Sequence, residues 1–165
     1  MSLILELNAQ LTPLEKVELS IDSPQEISVQ TEVGRLSITL ADVHGLACAA
    51  TELRLTSDTL TSSDADTLQQ LSDGLCAQLQ YLLEPVSPIE IDRDSVTIQM
   101  RSNPPTTDEN RGRSYYELVA RPEGLYLTRF FKKPGEPRER IAMTFTREVL
   151  GRLAKDLVSS IKEIA

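Results

Sequence analysis

The chain has 165 residues, of which 40% are hydrophobic, 25% charged and 4% aromatic, with a formal charge of −8. That is length for one compact domain and apolar content for a core, which excludes a wholly disordered chain. No apolar run reaches the roughly 18–20 residues that span a bilayer, and two cysteines with one histidine exclude a disulfide framework and a soft-ligand metal cluster.

The first sixty residues read as short strands. Leu3, Leu5 and Leu7 alternate with Ile4, Glu6 and Asn8, a period of two that predicts a half-buried opening strand. Met1 to Leu7 lacks a basic start and carries Glu6, so it is not expected to act as a signal peptide. Strands are predicted over 25–31, 35–40 and 51–56, with Gly34 at the first turn. A helix follows over about 64–83. Ser62 or Ser63 can cap it, Asp64 and Asp66 suit its positive end, and Leu68, Leu71, Leu75, Leu79, Leu82 and Leu83 recur at helical steps. Gly74 within it suggests a close approach to another backbone.

The second half opens with a hairpin, 88–92 and 95–100, around Asp92-Arg93-Asp94. Residues 102–113 are polar and hold Pro104-Pro105, so an exposed, mobile loop is expected. Strands over 115–121 and 125–133 meet at Pro122-Glu123-Gly124, and after Lys133-Pro-Gly-Glu-Pro137 a strand over 138–145 returns. Thr146 caps a last helix, about 146–164, whose apolar positions are Val149, Leu150, Leu153, Ala154, Leu157, Val158, Ile161 and Ile164.

These elements predict an α+β fold with mainly antiparallel sheets and two long amphipathic helices on one face. Two strand-rich halves, 1–85 and 86–165, each end in a helix and share one compact domain. A diverged duplication is one origin of that pattern, and Ser23-Pro-Gln-Glu-Ile27 echoes Ser87-Pro-Ile-Glu-Ile91. Charge divides the halves. Residues 1–92 hold three basic against fifteen acidic residues, a balance of −12, whereas 93–165 hold fourteen against ten, a balance of +4.

Catalytic machinery is hard to assemble from these residues, and no enzyme, catalytic residue, metal or cofactor is expected. His44 is the only imidazole and stands in an apolar linker; no nucleophile elbow or phosphate-cradling glycine pattern occurs. Asp64, Asp66, Asp92 and Asp94 suit a helix start and a turn, where acids belong for local reasons. Cys48 and Cys76 read as small buried hydrophobes, and a reducing cytoplasm is the expected compartment.

The segment 114–147 stands apart. Six of the seven aromatics lie in it, interleaved with Arg121, Arg129, Lys132, Lys133, Arg138 and Arg140. Alternation puts Leu125, Leu127, Arg129 and Phe131 on one side of a strand, and Tyr126, Thr128, Phe130 and Lys132 on the other. The candidate binding surface is therefore Tyr126, Arg129, Phe130, Lys132, Lys133, Arg138 and Arg140. Cations among aromatics on a sheet suit unpaired bases; equally, the aromatics can be core and cross-strand partners beneath solvated charges.

Gly124-Leu-Tyr-Leu-Thr-Arg-Phe-Phe-Lys-Lys133, the Pro-Gly turn, Arg138-Glu-Arg-Ile-Ala-Met-Thr144 and the helix behind them resemble the ending of Pur and Whirly-type single-strand nucleic-acid-binding repeats. The resemblance implies four antiparallel strands before each helix, two such units packed together, and a basic binding sheet. The acidic first half departs from that pattern. A second likeness is to small acidic type III secretion chaperones, α+β dimers that open with a helix where a strand is predicted here. The expected function is binding of a protein partner or self-association, away from any membrane; single-stranded nucleic acid on the carboxy-terminal sheet is the alternative.

Overall fold

The computed structural model describes residues 2–82 and 84–165. It opens with a helix, α1 (Leu3–Leu11), where the alternation predicted a strand. Ser2 decides the matter locally, its hydroxyl accepting from the Leu5 amide at 3.3 Å, as an N-cap does. Leu7 and Leu11, four residues apart, are the buried pair, and Leu5 is left 60% exposed. The period-two pattern was an accident of a helix that is apolar on most sides.

Ten strands form one sheet, antiparallel in every pairing. They are β1 (Gln25–Gln30), β2 (Arg35–Val43), β3 (Ala47–Thr56), β4 (Val86–Asp92), β5 (Thr97–Ser102), β6 (Thr106–Thr107), β7 (Arg113–Arg121), β8 (Gly124–Lys132), β9 (Glu139–Ile141) and β10 (Met143–Thr146). The main path runs β1-β2-β3-β8-β7-β5-β4. β3 and β8 pair only from Leu53↔Leu127 to Thr56↔Gly124. Beyond that they part. β9 descends beside β8, the chain reverses at Ala142, and β10 rises beside β3, so this narrow V fills the gap. The sheet thus has two limbs joined at one end.

Glycine makes that junction. A Cβ on Gly124 would stand 2.1 Å from the Leu55 carbonyl oxygen, and one on Gly34 would stand 1.9 Å from that of Thr56. The end of β3 is gripped from both sides by backbones that only glycine lets come so near. Gly74, by contrast, faces open space, so the close approach expected there is absent.

The helices cover one face. α2 (Ala65–Gln78) lies over β4, β5 and β7, α3 (Arg147–Ile164) over β3 and β10, and α1 beside β1 and α3. Asp64 rather than either serine caps α2, accepting from the Thr67 amide at 2.8 Å, while Thr146 caps α3 as expected. α2 is shorter than predicted: Leu79 leaves helical geometry, yet Leu79 and Leu82 stay buried, because a turn can carry the stripe on into the core. Leu83 lies outside the described residues. Leu68, Leu71 and Leu75 join Leu153, Leu157 and Ile161 over Leu53, Leu127, Leu118 and Ile98 in one continuous core.

Three helices therefore stand where two were expected. Nor do the halves repeat one unit: the first contributes three strands and the second seven, and α2 sits on strands of the other half whereas α3 sits on β3 of the first half and β10 of its own. The topology gives a duplication no support. The segment before β7 is also less loose than its prolines implied. β6 pairs with Arg113 and Ser114, and the Asp108 carboxylate accepts from the Asn110 and Gly112 amides at 2.9 and 2.6 Å.

Candidate functional site

Among the described residues no helix covers the outer face of the sheet. On β5 it presents Thr97, Gln99 and Arg101, the residues that alternate with buried Ile98, Met100 and Ser102. On β7 it presents Arg113, Tyr115 and Glu117, and on β8 Tyr126, Thr128, Phe130 and Lys132. Register places Tyr115 opposite Phe130, their ring centroids 6.1 Å apart, and Arg140 of β9 on the other side of Phe130.

Guanidinium groups roof these rings. Arg138 lies 3.8 Å from the Phe130 centroid and Arg101 lies 4.4 Å from that of Tyr115. Phe130 is only 9% exposed in consequence. Both arginines converge on Glu117, Arg138 at 3.2 Å and Arg101 at 3.8 Å, and Gln99 donates to the same carboxylate. Burial alone would lower the Arg138 pKa, but hydrogen bonds to Tyr115 and Glu117 outweigh it and hold the group above the ordinary arginine value. Arg138 remains a firm cation at any physiological pH. Beside this cluster opens a groove of about 720 Å³, lined among others by Ile89, Arg101, Pro105, Arg113, Tyr115, Lys132 and Arg138. That volume is within the range of ligand-binding clefts.

The seven residues singled out in the sequence separate here. Tyr126, Phe130, Lys132, Arg138 and Arg140 belong to the outer face; Arg140 pairs with Glu52 at 3.2 Å and Arg121 stands 5.7 Å over the Tyr126 ring. Lys133 follows β8, its ammonium 5.8 Å from the Phe131 ring. Arg129 leaves the surface altogether. It points to the helix-covered side, 4.3 Å over the Tyr116 ring and 3.3 Å from Glu84, with both ionic side chains about nine-tenths buried. Ser102 links this pair to the backbone, donating to Glu84 and accepting from the Tyr116 amide at 2.8 Å. Burial raises the Tyr116 pKa, so its ring is a neutral floor for Arg129.

No protein family, curated protein or solved structure matches this chain. The reading of the site rests on its own geometry.

Elsewhere chemistry is thin. Among the described residues no three His, Cys, Asp or Glu side chains gather as metal ligands, and no helix is long and apolar enough to cross a membrane. His44 is an exposed surface residue bonded to Asp42 at 2.8 Å. Burial pushes the Cys48 and Cys76 thiols up to about 11, which leaves both protonated and poorly nucleophilic. Of the groove residues, only Lys132 and Arg138 were in the candidate surface; Ile89, Arg101, Pro105, Arg113 and Tyr115 were not. A signal existed in the alternation of Gln99 and Arg101 with Ile98 and Met100, but nothing in the sequence set β5 beside β7.

Proposed function

We propose that this chain is a non-enzymatic binding protein whose working surface is the outer face of the carboxy-terminal limb, where it engages a protein partner. The observation that carries the reading is the groove beside Tyr115 and Phe130, in which uncovered cations converge while the rings are already roofed by arginine. A single-strand binder stacks bases on open aromatic faces. Tyr115 and Phe130 offer none, which favours a protein partner over nucleic acid.

Self-association through sheet edges is disfavoured. β4 carries Pro88, Glu90 and Asp92, residues that blunt an edge strand, and at β1 the Gln10 side chain donates to the Ser28 carbonyl at 2.7 Å. Two unpaired cysteines fit a cytoplasmic setting.

Selection of random displayed peptides on the folded protein tests the reading. Peptides whose binding is lost in Arg138→Ala support it; peptides that ignore Arg138→Ala and compete with nothing on this face sink it. The nucleic-acid alternative predicts retention of a labelled 20-mer oligo-dT at roughly 50 mM salt, with affinity falling steeply as salt rises.

A further inference from the structure

Resting on that protein-partner reading, we infer that the groove takes a short, extended acidic segment of a partner protein that also carries an aliphatic side chain. Five cations form a strip across the limb. Arg101, Arg138, Lys132 and Arg113 line the 720 Å³ groove, and Lys132, Arg113 and Arg111 line an adjoining one of about 440 Å³. Arg113 and Lys132 face each other across β7 and β8 and form the ridge between the two.

This charge is largely unanswered within the molecule. Among the described residues Glu117 is the only carboxylate that pairs with any of the five, and it is shared by Arg101 and Arg138. Lys132 spends its ammonium on the backbone carbonyls of Lys133 and Glu136, while Arg111 and Arg113 make no ion pair. Arg101 keeps its Nε buried with no hydrogen-bond partner. A concave site with surplus guanidinium donors selects carboxylate or phosphate.

Its surroundings choose between them. The groove wall includes Ile89, which is 49% exposed, and Pro105, so an aliphatic side chain has apolar surface to cover. The strip is also bounded. Farther along the same face Glu90, Asp92 and Glu123 line the next groove with Arg121 as the only cation, and on β3 Glu52 holds Arg140 and Arg54. A long phosphate backbone would run from the strip into carboxylates, whereas a short acidic segment ends before it meets them. The acidic partner thus gains both charge complementarity and a length limit.

Fluorescence anisotropy on the full chain tests this with three labelled probes at low salt: a ten-residue peptide of alternating Glu and Leu, the same peptide with Lys for Glu, and 20-mer oligo-dT. The acidic peptide should bind, with affinity falling as salt rises, and the Lys peptide should not. Arg113→Glu with Lys132→Glu should weaken the acidic peptide at least about tenfold and narrow its advantage over the Lys peptide, because the strip then balances its remaining cations with carboxylates. A circular dichroism melt confirms that the double variant is folded. Equal binding of both peptides, no binding of the acidic one, unchanged affinity in the double variant, or tighter binding of oligo-dT would overturn the inference. If displayed peptides of other composition still need Arg138, the protein-partner reading stands and only its acidic chemistry falls.

Discussion

Arg129 and Arg138 make the same set of contacts on opposite faces of one sheet. Each guanidinium lies on an aromatic ring, Tyr116 at 4.3 Å and Phe130 at 3.8 Å, and each pairs with a glutamate at 3.2–3.3 Å, Glu84 and Glu117. Their exposure separates them: the Arg129 side chain is 11% exposed under the helices, and that of Arg138 is 40% exposed on the bare face. The inner set has lost its water and must be satisfied internally, so its role is to hold α2's exit and β8 together. In the outer set Glu117 and Phe130 are buried as well, but the Arg138 guanidinium keeps its water and can exchange it for a ligand. Identical chemistry serves structure on one side and recognition on the other.

The largest effects should fall on the inner set. Removing one partner, Arg129→Ala or Glu84→Ala, leaves a buried uncompensated charge and should cost about 3–5 kcal/mol in urea unfolding. Replacing both, Arg129→Met with Glu84→Leu, should recover most of that loss. Single variants within about 1 kcal/mol of wild type would show that the inner face is wetter than described. Next come the helix stripes that bury it. Leu153→Ala and Leu75→Ala should each cost about 2–5 kcal/mol by the same measurement, since both residues are fully buried in the shared core.

On the outer face the expectation inverts. Arg138→Ala should cost clearly less than Arg129→Ala, because the guanidinium is 40% exposed and Arg101 and Gln99 remain on Glu117, while abolishing selection of groove-binding peptides. A large stability loss would make Arg138 structural and remove the contrast. A further effect concerns pH. Because the folded thiols of Cys48 and Cys76 sit near 11 against an ordinary 9.0, the unfolded chain gives up those protons first. The stability they support is whole below pH 9 and drains away between pH 9 and about 11. Cys48→Ala should flatten that stretch of the stability curve.

The long elements were legible because several signals agreed. Thr146, an 18-residue α3 and its apolar stripe all mark one helix, and the β7–β8 hairpin is marked by its turn and its alternation. α1 was misread because a helix with apolar residues on most sides mimics period two, and only Ser2 argued otherwise. The site was half legible. Alternation correctly set Tyr126, Phe130 and Lys132 apart from Arg129, but which side faced water depended on α2 packing across β4, β5 and β7 and on α3 packing across β3 and β10. Arg129 looked like a surface cation because its partner Glu84 is 45 residues away. A buried ion pair of that span leaves no trace in local periodicity.

The V formed by β9 and β10 has a consequence for how the chain is made. Residues 139–146 close the gap between β3 and β8, and α3, which packs on β10, follows them in the chain. Until those residues are synthesised, β3, paired with β2 on one side, keeps half of its other edge open beside the apolar inner faces of both limbs. Such exposed edges and distant pairings fold slowly and invite aggregation. Productive folding therefore waits for residues 139–164, and a nascent chain stalled before Glu139 is a ready client for a holdase.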